Sequence, residues 1–308
     1  MFPSALTVAG VDTCGGAGVA ADLKTFGTLG IHGACVITAL TAQNTKGIPS
    51  VLGVNPKFVE EQLQAVLDDL KIQVAKTGVL YGEEVVRVVA KFVEDYGLKV
   101  VVDPIFQSAT GEKLATKEAI KAYIERLLPL ATVATPNIPE ANRLVDMNIR
   151  RVEDMKKAAE KLSKLGMESL VLKGGHLKSR MASDLFYHKG KVEFYTKPRV
   201  KGAVHGSGCF FSAAITGYLT HGLSIPQAVE KAESIIQDVF GFGLGVGGGF
   251  KVVNPLIPLY NEAEKYNVVE EVKLALNKLL ENKRFPQFVA DVGSQVVMAL
   301  PYPSATQH

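Results

Sequence analysis

Val204-His205-Gly206-Ser207-Gly208-Cys209 runs directly into Phe210-Phe211-Ser212-Ala213-Ala214-Ile215-Thr216-Gly217-Tyr218. Two glycines flank a small hydroxyl residue, and an apolar helical pattern begins at once. Glycine permits positive φ and close approach of backbone to a ligand. A helix starting at Gly208 or Cys209 leaves its first N–H groups unpaired and aimed at the turn. Such a terminus binds anions, phosphate above all. Gly206, Ser207, Gly208 and Cys209 are therefore candidate catalytic residues: an anion hole for a moving phosphoryl group, with a thiol beside the attacking hydroxyl. A thiol at a helix N-terminus is expected to have a lowered pKa. The plain alternative is a Gly-rich strand-to-helix turn carrying a small buried cysteine.

The chain has 308 residues, 47% of them apolar, enough for one large α/β domain with a small appendage. The net charge is only +3 and the basic residues are scattered among acidic ones, which argues against a nucleic-acid partner. No apolar run is long enough to span a bilayer, so no membrane partner is expected. The start, Met1-Phe2-Pro3-Ser4-Ala5-Leu6, lacks a basic n-region and reads as the approach to a buried strand rather than a signal peptide. Cys14, Cys35 and Cys209 show neither metal spacing nor an even disulfide framework, in keeping with a reducing cytoplasm.

Along the chain, apolar runs alternate with helical patterns. A strand over 5–10 ends in a Gly-rich loop, 11–18, and a helix follows over 19–29. The spacing Gly15-Gly16-x-Gly18 is not a dinucleotide fingerprint. A strand over 34–40 leads into a polar loop, 41–47, carrying Gln43. Its amide can both accept and donate, as reading the edge of an amino-substituted heterocycle requires; a solvated loop glutamine is the plain alternative. Asn55-Pro56 starts a helix in which Phe58, Leu63, Val66, Leu67 and Leu70 recur near helical period. Strand 74–80 and helix 83–96 precede a strand that delivers Asp103 at its carboxyl end, a candidate metal-side carboxylate or simply an Asp-Pro turn. A helix runs from the Thr116 cap to about 128.

Asn137 and Glu140 sit at the mouth of the next helix. Glu140 is a candidate Mg²⁺ holder through water, or a first-turn carboxylate complementing the helix dipole. Lys173 ends a strand, placed to neutralise phosphate charge or to lie on the surface. A hairpin over 183–195, helices over 209–220 and 224–239, and a flexible Gly-rich loop over 241–249 complete this part. The strand–loop–helix rhythm predicts a mainly parallel sheet covered on both faces. Asp12, Gln43, Asp103, Asn137, Lys173 and Cys209 all follow strands, where such folds place their sites.

Residues from about 5 to 258 resemble the hydroxymethylpyrimidine kinase/phosphomethylpyrimidine kinase family of thiamine biosynthesis, within the ribokinase-like fold. The carrying stretches include Ala9-Gly10-Val11-Asp12 with Gly15-Gly16-Ala17-Gly18, Thr41-Ala42-Gln43-Asn44-Thr45, Lys76-Thr77-Gly78, Val102-Asp103-Pro104, Thr135-Pro136-Asn137-Ile138-Pro139-Glu140, Lys173-Gly174-Gly175-His176 and His205-Gly206-Ser207-Gly208-Cys209. The resemblance implies a three-layer αβα sandwich and a kinase that phosphorylates 4-amino-5-hydroxymethyl-2-methylpyrimidine, then its monophosphate, with Mg-ATP. It implies that Gln43 and Asp22 contact the pyrimidine and that Gly10 and Val79 line its pocket. Cys209 would stand at the reacting hydroxyl, where sugar kinases of this fold usually place Asp. Lys173, Asp103, Asn137 and Glu140 would serve the nucleotide phosphates and Mg²⁺. A homodimer is common in the family. Thr13-Cys14 stand where the family often has Pro-Ser, Val204 where it often has Thr, and Ser207 where it often has Thr.

Residues 1–258 are thus expected to form the kinase domain and 259–308 a C-terminal extension. Within the extension, 262–280 reads as an amphipathic helix. The stretch 288–301 resembles the opening of a thiamine-phosphate synthase-like domain, too short to supply that activity. Two other functions compete: a pyridoxine or pyridoxal kinase of the same fold, and a non-catalytic sensor of the thiamine precursor. The turn at 206–209, Lys173 and Asp103 argue against the sensor.

Overall fold

The computed structural model describes residues 2–108, 110–200, 202 and 204–281. The chain divides into two compact units, Met1–Pro255 and Leu256–His308. The first unit begins β1 (Ser4–Val11), α1 (Gly18–Thr28), β2 (His32–Asn44), β3 (Gly47–Gly53), α2 (Pro56–Asp69) and β4 (Val74–Thr77). It continues α3 (Glu83–Asp95), β5 (Lys99–Val102), α4 (Lys117–Ala122), β6 (Ala131–Ala134), α5 (Ile138–Val145) and α6 (Val152–Ser163). Then follow β7 (Ser169–Leu172), β8 (Met181–His188), β9 (Lys191–Pro198), β10 (Val204–His205), α7 (Ser207–Thr220), α8 (Ile225–Gly241) and β11 (Lys251–Val252). The second unit holds α9 (Ile257–Glu281).

Nine strands form one sheet in the order β3-β2-β1-β4-β5-β6-β7-β8-β9. β2, β1, β4, β5, β6 and β7 run parallel, while β3 and the β8–β9 hairpin close the two edges with antiparallel pairing. The chain winds from β1 to one side, then returns to the other at β4. That reversal opens a crevice beyond the carboxyl ends of β1 and β4.

Successive side chains of a strand face opposite ways. Leu6 and Val8 of β1 join a core with Val59 and Leu63 of α2, Val86 and Val89 of α3 and Met155 of α6. On the other face, Ala5 packs with Phe26 of α1 and Ala213 of α7. The result is the expected three-layer αβα sandwich. α7 is apolar around most of its circumference, so it is buried on nearly every side. It packs on β1, β4 and β5, with α1 and α8 alongside. A helix held so firmly fixes where its N-terminus points.

Several expectations need correction. Residues 41–47 are not a loop: β2 runs on to Asn44 and pairs antiparallel with β3. Thr41 and Gln43 alternate with exposed Leu40, Ala42 and Asn44, a period-2 pattern disguised by its polar residues. The helix from Thr116 does not stay α-helical to 128. Leu128 N–H bonds the Tyr123 carbonyl five residues back, a wide turn that gives the Pro129 ring room against the preceding carbonyls. The 241–249 loop is tied down: Gly249 N–H donates to Thr45 Oγ1 (3.1 Å) and Leu244 N–H to the Val252 carbonyl (2.8 Å). The 288–301 stretch lies outside the described residues.

Candidate active site

α7 starts on a left-handed residue. Gly206, its N-cap, has φ 86°, and a Cβ there would lie 1.7 Å from the Gly16 carbonyl oxygen. Only glycine fits. The same holds at the start of α1: Gly18 has φ 56°, and a Cβ would lie 2.2 Å from the Gly10 oxygen. These two glycines let two helix N-termini converge, and the Gly18 N–H faces the Cys209 sulfur. The N–H groups of both termini favour an anion between them.

A cleft of about 670 Å³ opens at this point. Its wall includes Gly206, Ser207, Gly208 and Cys209. Gln43, Gly10 and Val79 line one end, and Lys173, Asn137, Asp103 and Glu140 line another stretch. Asp22 does not reach the cleft. It is fully buried on α1, where Lys76 Nζ donates to both its carboxylate oxygens at 2.7 Å and Thr7 Oγ1 donates at 2.6 Å. Burial alone would lower the Lys76 ammonium, but the Asp22 carboxylate, with Cys209 and Asp103 beyond it, outweighs that and keeps it charged. Asp22 therefore stands one layer behind the wall that the resemblance assigned to it.

The Cys209 thiol behaves opposite to expectation. Burial pushes it up to about 11. The Lys76 ammonium and the Gly18 N–H act to lower it, while Asp22 and Asp103 add to the rise. Desolvation outweighs the helix terminus here because the sulfur is buried in the layer beneath the turn. At neutral pH it carries its proton.

Lys173 and Asp103 form the charged floor. Lys173 Nζ donates to Asp103 Oδ1 at 2.9 Å. Thr135 Oγ1 donates to the same oxygen at 3.2 Å, and Ser212 Oγ to Oδ2 at 3.3 Å. A Cβ on Gly208 would stand 3.2 Å from Lys173 Nζ, so the glycine turn touches this floor. Asn137 caps α5: its Oδ1 accepts from Glu140 N–H (2.9 Å), and Glu140 Oε2 accepts from Asn137 N–H (2.7 Å). Burial pushes the Glu140 carboxyl up to about 8, with Lys173 opposing and Asp103 adding. Beyond Lys173 the wall carries Asp184, Lys197 and Glu233, with Lys197 donating to Glu233 Oε2 at 2.8 Å. None of these three was singled out from the sequence.

A second network braces the opposite wall. Asp12 Oδ2 accepts from the N–H groups of Gly16 (3.0 Å) and Ala17 (2.8 Å), and Oδ1 from that of Cys14 (2.9 Å). His205 Nε2 lies 2.9 Å from Asp12 Oδ2 and 2.8 Å from the Gln43 amide. With the Nε2 proton of His205 on Asp12, assigning the Gln43 amide from this network sets its carbonyl oxygen toward His205 and its NH₂ toward Thr41 Oγ1. Burial acts to raise the Asp12 carboxyl, but the bonds from His205 and Cys14 win and hold it below the usual range. His205 and Lys76 had no role assigned from sequence. The signal for Lys76 was a lysine inside an otherwise apolar strand.

Residues 12–254 match the phosphomethylpyrimidine kinase family. A thiamine biosynthesis bifunctional protein of Geobacter sulfurreducens is 42% identical over 260 residues, covering 83% of this chain and 53% of that protein. The chain thus spans about half the length of that relative. A hydroxymethylpyrimidine/phosphomethylpyrimidine kinase of Bacillus subtilis is 38% identical over 253 residues, covering 81% of this chain and 93% of that one. Among solved structures, an ADP complex of Bacillus subtilis pyridoxal kinase superposes with a TM-score of 0.78 at 31% identity, covering 84% of this chain and all of that one. The sandwich is therefore ribokinase-like; the family match ends at residue 254 and gives no support to the synthase-like segment expected after 288. Family match, topology and cleft agree: the chain belongs to the phosphomethylpyrimidine kinase family.

Proposed function

We propose that the protein transfers phosphate from ATP to 4-amino-5-hydroxymethyl-2-methylpyrimidine and then to its monophosphate, in thiamine biosynthesis. One observation carries this reading: Gln43, Cys209 with its turn, Lys173 and Asp103 come from four segments and line a single cleft. Gln43, oriented by His205, meets the amino edge of the ring, with Gly10 and Val79 against its face. Asp22 acts through Lys76 rather than by touching substrate. The N–H groups at 207–209 receive the moving phosphoryl group, and Lys173 balances its charge. Positioning and charge neutralisation do most of the work in such transfers.

Cys209 holds the attacking hydroxyl beside the turn. Its protonated thiol suits an orienting role at that hydroxyl, with the Lys76 ammonium in the layer below.

The donor set fits Mg-ATP. Asp103 and Glu140 offer hard oxygen ligands, and a single ammonium, Lys173, faces both. Burial, with the Asp103 charge adding to it, keeps Glu140 protonated, and a divalent ion would offset both. Asp103 and Glu140 would hold the ion, partly through water, with Asn137 and Lys173 at the phosphates; the ion would supply charge neutralisation. Asn137 and Glu140 cap α5 with one set of atoms while lining the cleft.

We place the protein in the cytoplasm as a homodimer; its three free thiols suit a reducing compartment. Among the described residues no helix is long and apolar enough to cross a membrane.

The similarity to pyridoxal kinase supports a second reading, phosphorylation of vitamin B6 compounds. ADP release measured on a panel of hydroxymethyl pyrimidines and pyridines separates the two, and product mass counts the phosphates added. Turnover of the pyrimidine and its monophosphate is expected; turnover of pyridoxal alone would replace the first reading with the second, and none at all would favour a sensor.

A further inference from the structure

Asp12, Cys14 and His205 offer a carboxylate oxygen, a sulfur and an imidazole nitrogen, all within 4.8 Å of one another. We propose that these three side chains form a seat for one thiophilic divalent ion of the Zn²⁺ class, on the cleft wall beside Gln43. It is separate from the hard-oxygen pair Asp103 and Glu140 and selects a different metal.

The geometry is close to what such an ion needs. Cys14 Sγ lies 3.4 Å from Asp12 Oδ2, and His205 Nε2 lies 2.9 Å from the same oxygen. Tetrahedral zinc with ordinary bond lengths places sulfur and oxygen ligands about 3.5 Å apart, and nitrogen and oxygen about 3.3 Å apart. Both distances to the carboxylate oxygen lie within a few tenths of an ångström of these values. The carboxylate is already fixed by the N–H groups of Cys14, Gly16 and Ala17. Cys14 sits two residues further along the same loop, and His205 arrives from β10 across the cleft mouth. The ligands therefore come from two separate segments of the chain. Asp12 and His205 line the cleft, so the fourth position opens into it.

The charges balance. The Asp12 carboxylate and a Cys14 thiolate together neutralise a divalent cation. Lys24, whose charge acts on Cys14, is tied to the Gly15 carbonyl at 2.8 Å. Binding releases the Cys14 thiol proton to solvent and moves the His205 proton from Nε2 to Nδ1. Thiolate and imidazole favour Zn²⁺ over Mg²⁺. Occupancy also takes His205 Nε2 away from Gln43, so the ion frees the amide that the proposed reading sets against the substrate ring.

The test uses the full chain under a phosphine reductant, with Co²⁺ as a spectroscopic stand-in for Zn²⁺. One equivalent of Co²⁺ is expected to give a near-ultraviolet thiolate-to-cobalt band and intense tetrahedral visible bands, both erased by Zn²⁺. Cys14→Ser, which keeps a hydroxyl for Asp12, and His205→Gln should each abolish the thiolate band or strip its tetrahedral intensity. Cys35→Ser should leave the spectrum unchanged. No thiolate band at one equivalent, or a band that survives Cys14→Ser, overturns the seat. The readout is independent of catalysis, so its failure would leave the kinase reading untouched.

Discussion

Cys209 concentrates the chemistry of the site into one side chain. Its sulfur is buried, faces the Gly18 N–H and shares a wall with the α7 turn. Cys209→Ala should lower turnover by about 10²-fold or more with little change in melting temperature; near-normal turnover in the purified variant would remove its role. Because the thiol is held up to about 11, thiolate is scarce at neutral pH. Cys209→Ser, which keeps a protonated donor and acceptor, should therefore retain more activity than Cys209→Ala. Cys209 was legible because glycines and an apolar helix surround it in sequence. Its titration was not, because the burial that raises the thiol and the charges of Lys76, Asp22 and Asp103 around it come from packing of segments far away along the chain. Asp12 and His205 likewise meet across 193 positions, and no local spacing announces that pairing.

At the scale of elements, two joints hold the site. The first couples α1 to β4 through Asp22 and Lys76, both with fully buried side chains. Removing one partner strands the other charge, so Lys76→Met should cost about 3–5 kcal/mol. The double variant Asp22→Leu with Lys76→Met should recover much of that in urea denaturation. Failure to recover would mean that Thr7 and packing, not charge, hold the joint. The second is the reciprocal cap at α5, where Asn137→Ala should cost about 1 kcal/mol and loosen Glu140, weakening nucleotide binding measured by calorimetry. Helices and strands were readable wherever apolar period and caps agreed, as at Asn55-Pro56, whose Asn55 Oδ1 accepts from Lys57 N–H at 2.9 Å. The β2–β3 hairpin was not, since its polar alternation mimics a loop until β3 is paired with it.

The whole molecule carries its site as stored electrostatic cost. Glu140 keeps its proton up to about 8 in the folded chain but loses it near the ordinary 4.5 when unfolded. The folded state then binds more protons across that window, so stability falls as pH rises from about 4.5 to about 8. Glu233, pushed up to about 7 by burial and by Asp184, adds to the same slope. Thermal melts should show this decline, flattened in Glu140→Gln; an unchanged slope in that variant would place the cost elsewhere. Mg-nucleotide should stabilise the protein more on the alkaline side of 8 than well below it.

The decisive point in the molecule is where phosphate and hydroxyl meet. A crystal structure with ADP, aluminium fluoride, Mg²⁺ and the hydroxymethyl pyrimidine tests this in one step. The fluoride is expected on the N–H groups at 207–209, with the substrate oxygen between it and Cys209 Sγ and the ring amine at Gln43. A fluoride bound away from the α7 turn, or a ring hydroxyl out of reach of the sulfur, would contradict it.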